Sequence, residues 1–216
     1  MDVKKEKEKI LTDEEVDILQ EIMNIAFGQA ASDLADVIDI HVILSVPFVK
    51  ILQAPELPDY IRDEIRDICN ISIIEQKFLG KFRGNALMVF PSHAGKELIA
   101  LFGLEENTHI DADPVETLGR ETLMEVGNIM IGACIGKLAE LLKDSVTYSP
   151  PRLIIENHPC DTIPDSQLAA DDSAIVLKTV FSFDKGSISG FVFLVTSHES
   201  IQWLKEALRK FIEQYE

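Results

Sequence analysis

Cationic side chains are scarce in this chain: 20 Lys and Arg stand against 37 Asp and Glu in 216 residues, a formal net charge of −17. A field of that sign repels phosphate backbones and anionic lipid headgroups, so neither nucleic-acid binding nor electrostatic membrane docking is expected. Cysteine is almost missing too. Cys69, Cys134 and Cys160 are odd in number, far apart and without a Cys-x-x-Cys pair, which argues against a disulfide scaffold or thiolate zinc site and for a reducing compartment. No Gly-x-x-x-x-Gly-Lys-Ser/Thr loop, Gly-x-Gly-x-x-Gly turn or Gly-x-Ser-x-Gly elbow occurs, so nucleotide binding and serine-hydrolase chemistry have no support. The longest apolar runs, Ile38–Val49 and Ser187–Thr196, are interrupted by polar residues and too short to span a bilayer. Met1–Ile10 is charged and has no apolar segment behind it, so no secretory leader is read. These absences together predict a cytoplasmic protein without membrane insertion.

What remains is a globular composition, 46% apolar and 26% charged, with enough chain for a sizeable core. Periodicity predicts a long helix at 12–38, strands at 41–53, 70–79 and 81–90, and a short helix at 92–102 ended by Gly103. Thr12 and Asp13 are candidate N-caps of the first helix. An acidic loop at 105–113 precedes a second long helix, opened at its first turn by Pro114 and running to about 142. Strands at 145–156, 174–183 and 187–195 and a closing helix at 199–215 follow, with Asp184-Lys185-Gly186 as a hairpin turn.

The same order of elements occurs twice, and the residues repeat with it. Glu21-Ile22-Met23-Asn24-Ile25 returns as Glu125-Val126-Gly127-Asn128-Ile129, an offset of 104 positions, and each asparagine is followed by 22 residues and then a proline, Pro47 or Pro151. Gly28 matches Gly132, Ala35 matches Ala139, and Gly84 and Gly190 each lead a β run that ends in Ser-His. The expected fold is α/β: two pseudo-symmetric repeats, about 11–103 and 114–213, in one domain covering 1–216. A mainly antiparallel β-sheet packs against the two long helices, with shorter helices beside them.

At 100° per residue, Val16, Leu19, Met23, Ala26, Phe27, Ala30, Leu34 and Val37 form the core stripe of the first helix, and Asp17, Glu21, Asn24, Gly28 and Ala35 face away from it. In the second, Leu123, Met130, Ile131, Cys134, Leu138 and Leu141 face the core, and Glu121, Glu125, Asn128, Gly132 and Ala139 face away. A glycine inside an exposed helix costs about 1 kcal/mol relative to alanine. Accepting that twice at matching positions suggests that something approaches the backbone there. Glu and Asn on one solvated helix face ordinarily need no such explanation; the doubled pair with its small neighbours does. Ile18, Ile22, Ile25, Val126 and Ile129 flank these faces, either widening the buried surface or forming the apolar rim of a docking site.

With this spacing the chain resembles the CheC family of chemotaxis phosphatases, whose signature is Asp or Ser, three residues, Glu, two residues, Asn, 22 residues, Pro. Asp17, Glu21, Asn24 and Pro47 match it fully; Glu125, Asn128 and Pro151 match the second copy, where Glu121 replaces the usual Asp or Ser. The resemblance runs from about 11 to 208 and is to the two-site members. It implies hydrolysis of the aspartyl phosphate of a CheY-like response regulator, with Glu21 and Glu125 meeting the regulator's lysine and Asn24 and Asn128 holding the attacking water. It also implies Mg²⁺ supplied by the regulator, no cofactor or metal of the chain's own, and a CheD-type deamidase as a possible further partner. Asp17 and Glu121 would support the pairs or touch the partner, and Gly28 and Gly132 would make room for it. A non-catalytic protein that sequesters a regulator or deamidase is the alternative. His158-Pro159-Cys160-Asp161 makes a poor metal site, lacking a second cluster. His93 and His198 read as helix-start residues, 161–172 as an acidic solvated loop or short helix and not a calcium site, and 55–67 as its repeat partner; one or both could dock a regulator.

Overall fold

The computed structural model describes residues 11–38, 41–65, 70–103, 112–159, 173–183, 188–196 and 198–213. Helix α1 (Asp13–Ile38) opens on a capping box: Thr12 Oγ1 accepts from the Glu15 amide at 3.1 Å and Glu15 Oε2 accepts from the Thr12 amide at 2.9 Å. Strands β1 (Val42–Leu44) and β2 (Phe48–Gln53) lead through a 3₁₀ turn into α2 (Leu57–Ile65). Then come β3 (Asn70–Leu79), β4 (Gly84–Pro91), α3 (Ala94–Leu101) and α4 (Ala112–Leu141). The second half continues with β5 (Thr147–Tyr148), β6 (Arg152–Pro159), β7 (Ser173–Phe183), β8 (Ser189–Thr196) and α5 (His198–Ile212).

Among the described residues eight strands join one antiparallel sheet in the order β1-β7-β8-β4-β3-β5, with β2 also on β7 and β6 also on β3. The order is a palindrome of the two repeats. At its centre β4 and β8 pair so that Ala86 faces Leu194, Met88 faces Val192 and Leu87 faces Phe193, which is the pairing a two-fold axis through Leu87 and Phe193 requires. Gly84 and Gly190 are needed at this seam: a Cβ on either would sit 2.1 Å from a carbonyl of the neighbouring strand, beneath the ring of Phe78 or Phe181. At the rims the repeats are exchanged. β1 and β2 of the first half pair with β7 of the second, and β5 and β6 of the second with β3 of the first.

One sheet face carries the large core. Leu19, Met23 and Phe27 of α1, Met130, Ile131 and Cys134 of α4, Leu98 of α3 and Leu204 of α5 pack there on Ile74, Phe78, Met88, Leu177 and Phe181. The other face carries a smaller core, where Leu57, Tyr60, Ile61 and Ile65 of α2 cover Ile71, Ile73, Val89, Val176 and Phe193. Of the two stretches expected as a loop or short helix, most of 55–67 is this helix, with an apolar face on the sheet, while 160–172 lies outside the described residues. Within α4, Thr117–Leu141 is long and apolar enough to cross a membrane by length and composition, contrary to the sequence expectation. Its apolar stripe is committed to the core instead, from Leu123 to Leu138.

Three smaller expectations also change. The strands predicted at 41–53 and 145–156 are each split in two at Ser45-Val46-Pro47 and Ser149-Pro150-Pro151. His93 gives α3 no side-chain cap; its Nε2 lies 3.8 Å from Glu97 Oε1. Ala139, expected to face outward, is buried. The chain reverses over it at Lys143 (φ 54°), and the Asp144 amide donates to the Ala139 carbonyl at 2.8 Å, a Schellman-type ending built without glycine.

Candidate functional site

The split in each edge strand builds the floor beside a Glu–Asn pair. Proline cannot donate to a ladder, and a serine two residues earlier repairs the gap. Ser45 donates its amide to the Val180 carbonyl at 2.8 Å, and its Oγ accepts from the Val180 amide at 3.0 Å. Ser149 does the same with Lys77, at 2.9 and 3.1 Å. The signature proline is thus explained by strand geometry, with each serine bridging to the strand contributed by the other repeat.

Register aligns the two floors. Phe78 lies opposite Gly84 in one hairpin and Phe181 opposite Gly190 in the other, so Gln76 and Thr179 are equivalent. Thr179 Oγ1 donates to the Ser45 carbonyl at 2.6 Å, and Gln76 Nε2 donates to the Ser149 carbonyl at 3.0 Å. The longer amide does one thing more: Gln76 Nε2 also donates to Asn128 Oδ1 at 2.7 Å. Gln76 is 2% exposed, and its Oε1 is buried without a partner. Such an orphan acceptor costs about 1–3 kcal/mol, so packing alone does not account for a glutamine here.

On α1, Asp17, Glu21, Asn24 and Gly28 are exposed. On α4, Glu121 and Glu125 are exposed while Asn128 and Gly132 are half-buried. Among the described residues Glu21, Asn24 and Glu125 make no side-chain hydrogen bond or ion pair, so their polar atoms are available to a partner. Each Glu–Asn pair is three residues apart and emerges on one helix face. A Cβ added at Gly28 or Gly132 would meet nothing within 4 Å, so neither glycine is required by the chain's own packing. Tyr148 of β5 borders the second site, its hydroxyl donating to the Gly132 carbonyl at 3.3 Å; partial burial raises its pKa above the ordinary tyrosine value. Of the flanking aliphatics, Ile22 and Val126 are buried, Ile18 and Ile129 pack partly on the core, and Ile25 is 37% exposed. The flank chiefly widens the core, with Ile25 as its open edge.

Gln76 and Tyr148 were not singled out from sequence. The signal for Gln76 is a polar side chain on the buried register of β3, between Ile74 and Phe78. Among the described residues no group of three or more His, Cys, Asp or Glu is placed to hold a metal; Cys160 and Asp161 lie outside them.

The CheC-like family model matches residues 14–51 and 118–155, one segment in each repeat, each running from the start of a long helix across its Ser-x-Pro break. Both copies of the repeat therefore carry the sequence pattern of this family. It is 28% identical over 152 residues, 68% of each chain, to the CheY-P phosphatase CheC of Bacillus subtilis. Its fold is similar to that of Thermotoga maritima FliY, with a TM-score of 0.68, 20% identity and coverage of 93% of this chain and 98% of that one. It is also similar to a structure of a CheX–CheY–BeF₃–Mg²⁺ complex from Borrelia burgdorferi, with a TM-score of 0.51, 18% identity and coverage of 80% and 96%.

Proposed function

We propose that the chain is a chemotaxis phosphatase that hydrolyses the aspartyl phosphate of a CheY-like response regulator, with one site on each long helix. Glu21 and Glu125 receive the regulator's active-site lysine in a charge-assisted hydrogen bond. Asn24 and Asn128 reach the phosphoryl group and hold a water in line with the scissile phosphorus–oxygen bond. Water adds at phosphorus, the aspartate carboxylate leaves, and inorganic phosphate and a free regulator result. An amide suits this position because it accepts from water and donates to a phosphoryl oxygen while carrying no charge that the phosphate would repel. Mg²⁺ and the lysine arrive with the regulator and neutralise developing charge; this chain's contribution is position, which can supply several kcal/mol. Asp17 and Glu121 lie at the partner's edge, and Gly28 and Gly132 leave room for its loops. The exchanged rim strands support treating 1–216 as one domain, and the charge and cysteine content support a cytoplasmic setting.

The doubled Glu–Asn pair beside an open glycine carries this reading. A second reading, sequestration of a regulator or a CheD-type deamidase without chemistry, draws on the exposed Ile25 next to Asn24, an apolar contact that docking alone would use. Turnover separates the two. Substoichiometric protein should release many equivalents of phosphate from phosphorylated regulator in Mg²⁺; slowed or unchanged release would reject the phosphatase reading.

A further inference from the structure

We infer that Gln76 is the positioning residue of the second site: its buried amide holds the Asn128 side chain in one rotamer and one polarity, a restraint the first site lacks. The inference rests on Asn128 acting as the water-aligning amide.

The polarity follows from a group that cannot turn round. The Ser149 main-chain carbonyl only accepts, so the end of Gln76 facing it at 3.0 Å must be Nε2. The second hydrogen of that nitrogen then points to Asn128 at 2.7 Å, which obliges Asn128 to present Oδ1 and to turn Nδ2 away from Gln76. An ordinary surface asparagine exchanges its two ends and several rotamers freely. Asn128 is left with Nδ2 as a donor for a phosphoryl oxygen and one Oδ1 lone pair for water, already oriented before the regulator docks. In the first half Thr179 takes Gln76's place; its hydroxyl is spent on Ser45, and Asn24 makes no side-chain hydrogen bond among the described residues. Asn24 must therefore be ordered at the moment of docking, and Asn128 need not be.

The test uses the full chain with Asn24→Ala, so that turnover reports the second site. Adding Gln76→Leu, which keeps the volume and removes the donor, should lower kcat about tenfold with KM for phosphorylated regulator changed less than about twofold. Gln76→Glu, whose carboxylate would face the Ser149 carbonyl and reverse Asn128, should do no better. In an Asn128→Ala background the same Gln76→Leu should leave kcat unchanged; equal losses in both backgrounds would mark a merely structural role and overturn the inference, as would a rise in KM alone. A readout independent of turnover separates this from failure of the phosphatase reading. By NMR, the Asn128 side-chain amide should be more ordered than that of Asn24 and should lose the difference in Gln76→Leu. Equal order of the two amides in the unsubstituted protein would sink the tether whatever the activity proves to be.

Discussion

Gln76 and Thr179 stand at one place in two copies of the same architecture, each bonded to the carbonyl of a serine that repairs a proline break, and they differ by the reach of one side chain. Around them the contrast continues. Val46, in the break between β1 and β2, is 61% exposed, and on the sheet face away from α1 Phe48 is 54% exposed and Val180 partly exposed. Their counterparts by sequence offset and register are Pro150, Arg152 and Lys77, and Arg152 is ion-paired to the buried Glu75 opposite it. Duplication has kept the strand repair, the glycine seam and the Glu–Asn spacing, which the fold and the proposed chemistry need twice. It has released what surrounds them. The first half offers a free asparagine and an apolar surface on the far sheet face; the second offers a held asparagine and a charged surface there.

The largest expected effect removes the comparison altogether. Asn24→Ala with Asn128→Ala should cut phosphate release by about a hundredfold or more while circular dichroism stays that of the folded chain; the exposed Asn24 contributes less than about 0.5 kcal/mol, and Asn128 about 1 kcal/mol through the Gln76 hydrogen bond it accepts. The single substitutions should then split the halves. Asn128→Ala should lose several-fold in kcat and Asn24→Ala less than about twofold, reflecting the ordering cost that only Asn24 bears. A reversed order would show that the held amide is the poorer one.

A constructive version moves the tether. With Asn128→Ala leaving only the first site active, Thr179→Gln places an amide where it can bond the Ser45 carbonyl and reach toward Asn24. A rise of about two- to fivefold in kcat, measured by steady-state phosphate release, would transfer the second half's character to the first.

Legibility from sequence followed the range of the interactions. The Thr12–Glu15 capping box, the Glu–Asn pairs and the Gly84 and Gly190 repeats are set by spacings of a few residues and could be read directly. Helix α2 was readable in principle, since Leu57, Tyr60, Ile61 and Ile65 recur at helical intervals, but Pro58 and the charges among its nine residues left a short helix and a solvated loop equally open. The exchange of rim strands left no local trace, because β1 would alternate in the same way whether it paired with its own repeat or the other. The Gln76–Asn128 bond spans 52 positions and depends on that exchange: the helix bearing Asn128 and the strand bearing Gln76 belong to different repeats. The acid–amide motif could be found in the sequence, but what distinguishes its two copies could not.

The open glycines provide a milder test in which stability and function should move in opposite directions. Gly28→Ala and Gly132→Ala add a methyl that meets nothing and remove backbone freedom from the unfolded chain, so each should stabilise by about 0.5–1 kcal/mol, a rise in Tm of about 1–4 °C for a chain of this size. If the regulator's loops approach here, KM at the altered site should rise several-fold. The Gly132 effect should appear only when the second site is assayed, and the Gly28 effect only at the first. A gain in Tm with unchanged KM at both positions would mean that the partner docks elsewhere.

The smallest expected effect lies where the halves meet. Asp33 and Lys137 are equivalent by the 104-residue offset, yet they touch, Lys137 Nζ lying 3.0 Å from Asp33 Oδ2. Identical copies would bring two like charges together at this point, so the attraction depends on the repeats having diverged. The hydrogen bond and charge of Asp33, with help from Glu140, raise the Lys137 pKa. For a cation whose folded pKa is raised, the stabilisation is fully present below the unfolded lysine value near 10.4 and is lost as pH climbs through the higher folded value. It is therefore complete at neutral pH. Lys137→Asp should lower Tm slightly, and less so in high salt, since the pair is partly exposed. Adding Asp33→Lys should recover most of the loss, though not all, because Glu140, which also lies 3.4 Å from Lys137, would then face an aspartate on its own helix. Recovery in the swapped pair, read by thermal melts at pH 7 and compared with melts above pH 10, would show that the charges matter as a pair across the pseudo-two-fold axis. A swap no better than the single substitution would reduce them to two independent surface residues.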